Sequence, residues 1–233
     1  MFAGGDGSTL SLDFTTMSGL DSRFTFSRSS TATFINSSGL VQYADSNLLL
    51  RSNDFSTNWT PVRSTITGNQ TDPEGGTTAW EIAADATANT HKMYQASISS
   101  SQMAASHVTI SVTAKAGTSN YLYIGVSNQN ESNAARQIFD LSNGTLGSVF
   151  YNGSGNAPTL QSATATSLGN GWWRLVVVIT DWKYVTASDN NYAAWIGVTD
   201  NSSSATTATS SGASAYFLPV SYTHLTLPTK RIV

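Results

Sequence analysis

Phe139-Asp-Leu-Ser-Asn-Gly144, followed by Leu168-Gly-Asn-Gly-Trp-Trp-Arg-Leu-Val-Val-Val-Ile-Thr180, decides the fold class. Asn170-Gly171 is a turn signal, and an aromatic and β-branched run follows it at once. The first segment repeats the arrangement: a strand end, then a polar turn with Gly where the backbone needs positive φ. Together they predict antiparallel strands that meet at short polar turns.

Strand signals recur on either side of these segments. Trp80 and Ile82 alternate with Ala79, Glu81 and Ala83. Val108, Ile110, Val112 and Ala114 alternate with Thr109, Ser111, Thr113 and Lys115. Leu122, Ile124 and Val126 stand opposite Tyr121, Tyr123 and Gly125. Trp173, Leu175, Val177 and Ile179 stand opposite Trp172, Arg174, Val176 and Val178. Tyr192, Ala194, Ile196 and Val198 alternate with Ala193, Trp195 and Gly197, and one more strand begins at Ala213. Strict alternation means one buried and one solvated face. Convincing helix is scarce beyond a single turn over residues 101–106. The expectation from these strands is an all-β antiparallel protein, a sandwich or a barrel.

Composition narrows the function. Charged residues are only 11% of the 233, and Ser, Thr, Asn and Gly take their place. Six Trp, nine Tyr and nine Phe argue against a disordered polar chain. The absence of Cys excludes a disulfide framework, thiolate metal sites and thiol catalysis. A formal charge of −3 without a basic stripe argues against nucleic acid, and no run approaches a membrane span.

Three parts follow from the pattern. Residues 1–51 read as an extended β-hairpin lead-in. Thr31–Ile35 and Leu40–Tyr43 are its strands around the loop Asn36–Gly39, and Phe24–Phe26 is a further candidate. Residues 52–218 read as the sandwich, with Leu48–Leu50, Phe55 and Trp59 packing on it. Residues 219–233 read as a non-native tail. Ser221-Tyr-Thr-His-Leu-Thr-Leu-Pro-Thr229 breaks the composition and resembles a sequencing adapter translated in frame. Any strand formed there is expected to be short and peripheral, because Pro228 cannot donate a ladder hydrogen bond.

Asn47–Trp59, Val112–Gly117, and Phe139–Gly144 leading to Gly169–Arg174 occur in an order that resembles the carbohydrate-binding-module-like jelly-roll of tailed-phage tail fibres and head fibres. The resemblance implies an all-β, antiparallel two-sheet β-sandwich of jelly-roll type, concanavalin- and carbohydrate-binding-module-like, in a virion or extracellular setting, with a cell-surface glycan as ligand and other virion proteins or a homotrimer as partners. It fixes no sugar. The leading expectation is a non-catalytic glycan-binding module, with a purely structural or oligomerisation domain and a glycan depolymerase as alternatives.

Sugar rings stack on aromatic faces while amides, carboxylates and Arg take the hydroxyls. The candidate residues are Tyr121, Tyr123, Trp172, Arg174 and Trp195. They form a platform if their faces belong to one concave sheet; otherwise they pack under loops or against the N-terminal segment. On the platform reading Trp195→Ala costs far less stability than Trp173→Ala. No catalytic constellation is legible, so no enzyme activity and no cofactor are expected. The metal question stays open: a structural Ca²⁺ is conceivable at Asp72–Glu74, Asp189–Asn191 or Asp200-Asn201, against ordinary Asx-turn chemistry. His91 and His107 read as surface histidines.

Overall fold

The computed structural model describes residues 33–35, 41–43, 49–99, 107–128, 133–152, 158–180, 191–204, 212–218 and 221–224. It divides into two units, Met1–Ala44 and Asp45–Val233. In the first, β1 (Thr33–Ile35) and β2 (Val41–Tyr43) pair antiparallel, Thr33 opposite Tyr43. That is the hairpin the loop at Asn36–Gly39 predicts. Phe24–Phe26 and residues 101–106 lie outside the described residues.

The second unit is two antiparallel sheets. One has six strands, in spatial order β10 (Leu146–Asn152), β9 (Ala134–Asp140), β8 (Tyr121–Asn128), β13 (Asn191–Thr199), β6 (His91–Ser99), β3 (Thr60–Val62). The other runs β11 (Thr159–Gly169), β12 (Trp172–Thr180), β7 (His107–Ala116), β14 (Ser214–Phe217), β5 (Ala79–Ala84), β4 (Ser64–Gln70). A short β15 (Ser221–His224) lies against β7 at Ser111–Val108, beyond the part of β7 that β14 pairs. No helix occurs among the described residues. The sheets stack so that β9 and β10 face β11 and β12, while β3 and β6 face β4 and β5.

The alternating sets make the core between the sheets. Val108, Ile110, Val112, Ala114, Leu122, Ile124, Val126, Leu175, Val177, Ile179, Ile196 and Val198 are all buried in one cluster. Phe55 fixes the incoming segment there, edge-on to Trp80 and Phe217 and tilted against Trp59. Gln95 turns its amide from the same core face to Leu50: the Leu50 N–H donates to Oε1 at 2.7 Å and Nε2 donates to the Leu50 carbonyl at 2.8 Å. This pair satisfies a backbone residue that no strand partners.

The two motifs that open the chain's reading meet in space. Asn170 and Gly171 both have positive φ, 52° and 79°, as a two-residue primed hairpin turn requires. In the other turn the Gly144 N–H donates to the Asp140 carbonyl at 2.8 Å, and Ser142 caps Asp140 Oδ1 through its N–H and Oγ. Trp173 lies against Gly144, where any side chain would collide with the indole, and its Nε1 donates to the Leu141 carbonyl at 2.8 Å. One side chain of the seven-stranded sheet thereby holds a turn of the six-stranded sheet.

Candidate functional site

The structure divides the five candidate residues between two sheets. Trp172 and Arg174 stand on the outer face of the seven-stranded sheet. Trp172 is buried there, and Arg174 Nη2 donates to Ser111 Oγ at 2.6 Å on the neighbouring strand. Tyr121, Tyr123 and Trp195 share the outer face of the six-stranded sheet. Tyr123 and Trp195 are closed to solvent, at 0% and 1% exposure, so neither offers an open stacking face.

Missing side chains on neighbouring strands explain how that outer face closes. Tyr123 lies across Gly197 of β13, where a Cβ would collide with its ring, and its hydroxyl donates to the His91 carbonyl of β6 at 3.0 Å. Arg136 of β9 crosses Gly125 of β8 in the same way. Its guanidinium stands 4.4 Å from the Trp195 ring centre, and Lys92 Nζ stands 3.6 Å from it. Two cations over one buried indole make a cation–π cluster, worth about 2 kcal/mol or more per desolvated contact. Its location on the sheet makes Trp195 part of a second, outer core with Ala134 and Ala193.

Tyr121 differs. It is half-buried at the end of β8, packed on Tyr123 and Ile138, and lies in the lining of two hollows of about 310 and 320 Å³. The first is lined by Thr118, Ser119, Asn120, Asp200, Gly212 and Ala213, the second by Asp140, Thr145, Leu146, Gly147, Ser148 and Ser202. Among the described residues no Lys, Arg or His lines either. These residues come from strand ends that antiparallel order brings to one end of the sandwich.

Neutral hydrogen bonds hold the rim. Ser119 Oγ donates to the Thr199 carbonyl at 2.5 Å and accepts the Tyr121 N–H at 3.1 Å. Thr118 and Ser214 exchange bonds, with the Ser214 N–H donating to Thr118 Oγ1 at 2.8 Å. Asn201 Oδ1 accepts from the N–H groups of Ser203 and Ser204, while Thr199 Oγ1 donates to the Ser204 carbonyl. The Ser148 N–H donates to the Ser202 carbonyl at 2.8 Å, which fastens this loop to β10. A rim so tied is pre-formed, so a ligand need not order it.

Two of the three candidate metal loops have other occupations. Asp72 Oδ1 accepts the N–H groups of Glu74 and Gly76, and Oδ2 accepts the N–H and Oγ1 of Thr78. A carboxylate ringed by four donors does not fit a cation. The Thr78 hydroxyl, first among these donors, holds the Asp72 carboxyl below its ordinary pKa. Asp200 Oδ1 accepts from Asn201 Nδ2 at 2.9 Å. Asp189 and Asn190 lie outside the described residues, as does the His107 side chain. His91 is not a surface residue: it is fully buried on the core face of β6, with Nε2 3.2 Å from Asp85 Oδ1. Among the described residues no three His, Cys, Asp or Glu side chains gather as a metal site.

Asn120, Asp140, Thr145 and Ser202 did not stand out in the sequence as site residues, and Asp200 stood out only as a candidate cation ligand. Their signal was present as turn chemistry, since Asp140–Gly144 and Asp200-Asn201 both read as turns. Only sheet order shows that the two turns flank Tyr121.

No protein-family model matches the chain, and no curated protein matches it in sequence. Among solved structures it is similar to the enzymatically active domain of tailspike protein 4 of bacteriophage CBA120, at TM-score 0.41 and 12% identity over 77% of this chain. It is also similar to the CBM22-1–GH10 modules of Clostridium thermocellum xylanase 10B complexed with xylohexaose, at 0.37 and 13% over 76%. A third is a candidate sugar-binding protein of Bacteroides thetaiotaomicron, at 0.39 and 13% over 75%. The chain spans 21% and 27% of the first two and 91% of the third. These likenesses are distant, and the chemistry of the site stands on its own residues.

Proposed function

We propose that this chain is a non-catalytic module that binds a neutral, hydroxyl-rich glycan at the Tyr121 end of the six-stranded sheet. The observation that carries the reading is one partly open aromatic ring shared by two polar hollows. A sugar ring needs an apolar face to stack on and a fixed set of donors and acceptors around it. Tyr121 supplies the face. Asn120, Thr118, Thr145, Asp140 and Asp200 supply the polar groups on a rim already held in place. Two carboxylates in the lining disfavour acidic sugars. Asp140 and Asp200 line different hollows, which favours binding over the paired-carboxylate chemistry of glycoside hydrolysis. A virion or extracellular setting is part of the proposal and rests on the resemblance of the three sequence segments to phage fibre modules.

A glycan array probed with the wild-type chain, Tyr121→Ala and Tyr121→Phe tests this. Neutral glycans should bind, the Phe variant should keep most of the affinity, and the Ala variant should lose about tenfold, the worth of one stacked ring. Undiminished binding by a folded Tyr121→Ala protein, or a preference for sialylated or uronic-acid glycans, would sink it.

A further inference from the structure

One flank of the sandwich is built differently from the other. At the β3–β4 flank, β3 is three residues long and contains Pro61. There β4 keeps regular pairing only over Ser64–Thr67 before a bulge at left-handed Asn69. Short strands, Pro and bulges are the usual guards of a sheet edge, because an open edge offers unpaired N–H and C=O groups to any passing strand. The opposite flank lacks most of these guards. There β11 runs for eleven residues, with unbroken pairing to β12 over Ser162–Ser167 between irregularities at Leu160/Ser162 and Ser167/Gly169. Neither β10 nor β11 contains Asp, Glu, Lys, Arg or Pro. Gln161, Ser162, Thr164 and Thr166–Gly169 are exposed, and among the described residues β11 has no strand on its outer side.

A second observation falls on the same flank. Four large apolar residues stand strongly exposed among those described. Three of them, Leu146 (48%), Tyr151 (51%) and Leu168 (53%), belong to β10 and β11. The two edges lie side by side there, since the Leu160 N–H donates to the Tyr151 hydroxyl at 3.4 Å.

We infer that this flank is a self-association surface, on which β11 pairs antiparallel with β11 of a second copy about a two-fold axis. The unpaired backbone groups specify an extended strand as occupant. A charge-free edge selects no oppositely charged partner and meets no like-charge repulsion when it faces its own copy. Antiparallel pairing of a strand with itself is self-complementary and closes as a dimer. It joins the two seven-stranded sheets into one and brings Leu168 and the β10 side chains of the two copies near the seam. Eleven residues span about 36 Å and the stacked sheets stand about 10 Å apart. The strip is therefore about 400 Å² per copy, at the low end of specific interfaces, which makes the dimer reversible.

Sedimentation velocity over a concentration series, with the full chain, reads this directly. The wild-type protein should move from monomer to dimer mass as concentration rises. T164K/T166K places exposed charges on the edge, four of which face one another in the dimer. It should remain monomeric at the highest wild-type concentration and melt at the wild-type temperature. Amide exchange on the wild-type chain gives a second measurement that needs no variant. Exchange within 162–167 should slow severalfold between the dilute and concentrated samples, while that of β4 stays constant. A wild-type monomer at every soluble concentration, a dimer or trimer that survives both lysines in a folded protein, or concentration-independent exchange at 162–167 would each overturn the proposal.

Discussion

Trp173 couples the sheets through one indole, and the coupling makes its removal costly. Trp173→Ala forfeits the ring's contact with Gly144, its packing on the core and the bond to the Leu141 carbonyl. Loss of a large aromatic from such a position costs about 3 kcal/mol, measurable as a shift of the denaturant midpoint at unchanged slope. Trp195→Ala should cost at least as much, about 3–5 kcal/mol. The strand alternation pointed to the opposite ranking. It places Trp195 on the outer face correctly but says nothing of what covers that face, and Gly125 and Gly197 let neighbouring side chains fold over it. If Trp195→Ala melts like the wild type, the outer cluster contributes nothing. Asp72 gives a pH signature. Its folded-state pKa lies below the unfolded value, so its stabilisation is complete above about pH 4. That contribution is lost as pH falls through the folded value. The acid-side fall in melting temperature should be shallower in Asp72→Asn, which has no carboxylate to protonate; an unchanged slope would count against this loop as a source of it.

Among the strands, those with one apolar face were legible and those without were not. The patterns at Val108–Lys115, Tyr121–Val126 and Trp172–Ile179 each describe a strand with a core side, and each is one. β6 escaped because its core-facing residues are His91, Met93 and Gln95, while Lys92 on the other face is buried as well. β4 and β11 escaped because edge strands rich in Thr, Ser and Ala carry little hydrophobic contrast. The β11–β12 turn was legible to the residue. Gly171→Ala should destabilise by about 1–2 kcal/mol through backbone strain. An added Cβ meets only the Lys115 side chain at ordinary contact distance, so the loss should read as strain rather than collision. The tail strand is short, as expected, yet it lies against an inner strand. A ladder bond contributes about 0.5–1.5 kcal/mol and each residue ordered costs about 1–2 kcal/mol, so four residues come out near balance. Removing 219–233 should leave the unfolding free energy within about 1 kcal/mol of wild type while amide exchange at Val108–Ser111 accelerates. A drop of several kcal/mol would show that β15 contributes more than backbone pairing.

At the scale of the whole molecule, stability without a single disulfide falls to two layers of side chains. One lies between the sheets and a second on the outer face around Trp195 and Tyr123. The sequence showed the first layer because its period is two along single strands. It hid the second, which depends on which strands are neighbours. It offered Tyr121 but hid the hollows beside it for the same reason, since they collect strand ends far apart in the chain. Strand order also sets a schedule for folding. β13 is inserted between β8 and β6, and β14 between β7 and β5. In a chain growing from its N-terminus, β6 and β8 wait without their shared neighbour until residue 199 has emerged. β5 and β7 wait until residue 217. Pairing at such separation makes refolding slow, in the millisecond-to-second range. Until β13 and β14 arrive, the incomplete sheets expose the strands best able to capture another nascent chain. The yield of soluble protein should therefore depend on how fast the last fifty residues are translated, more than on the final stability of the sandwich.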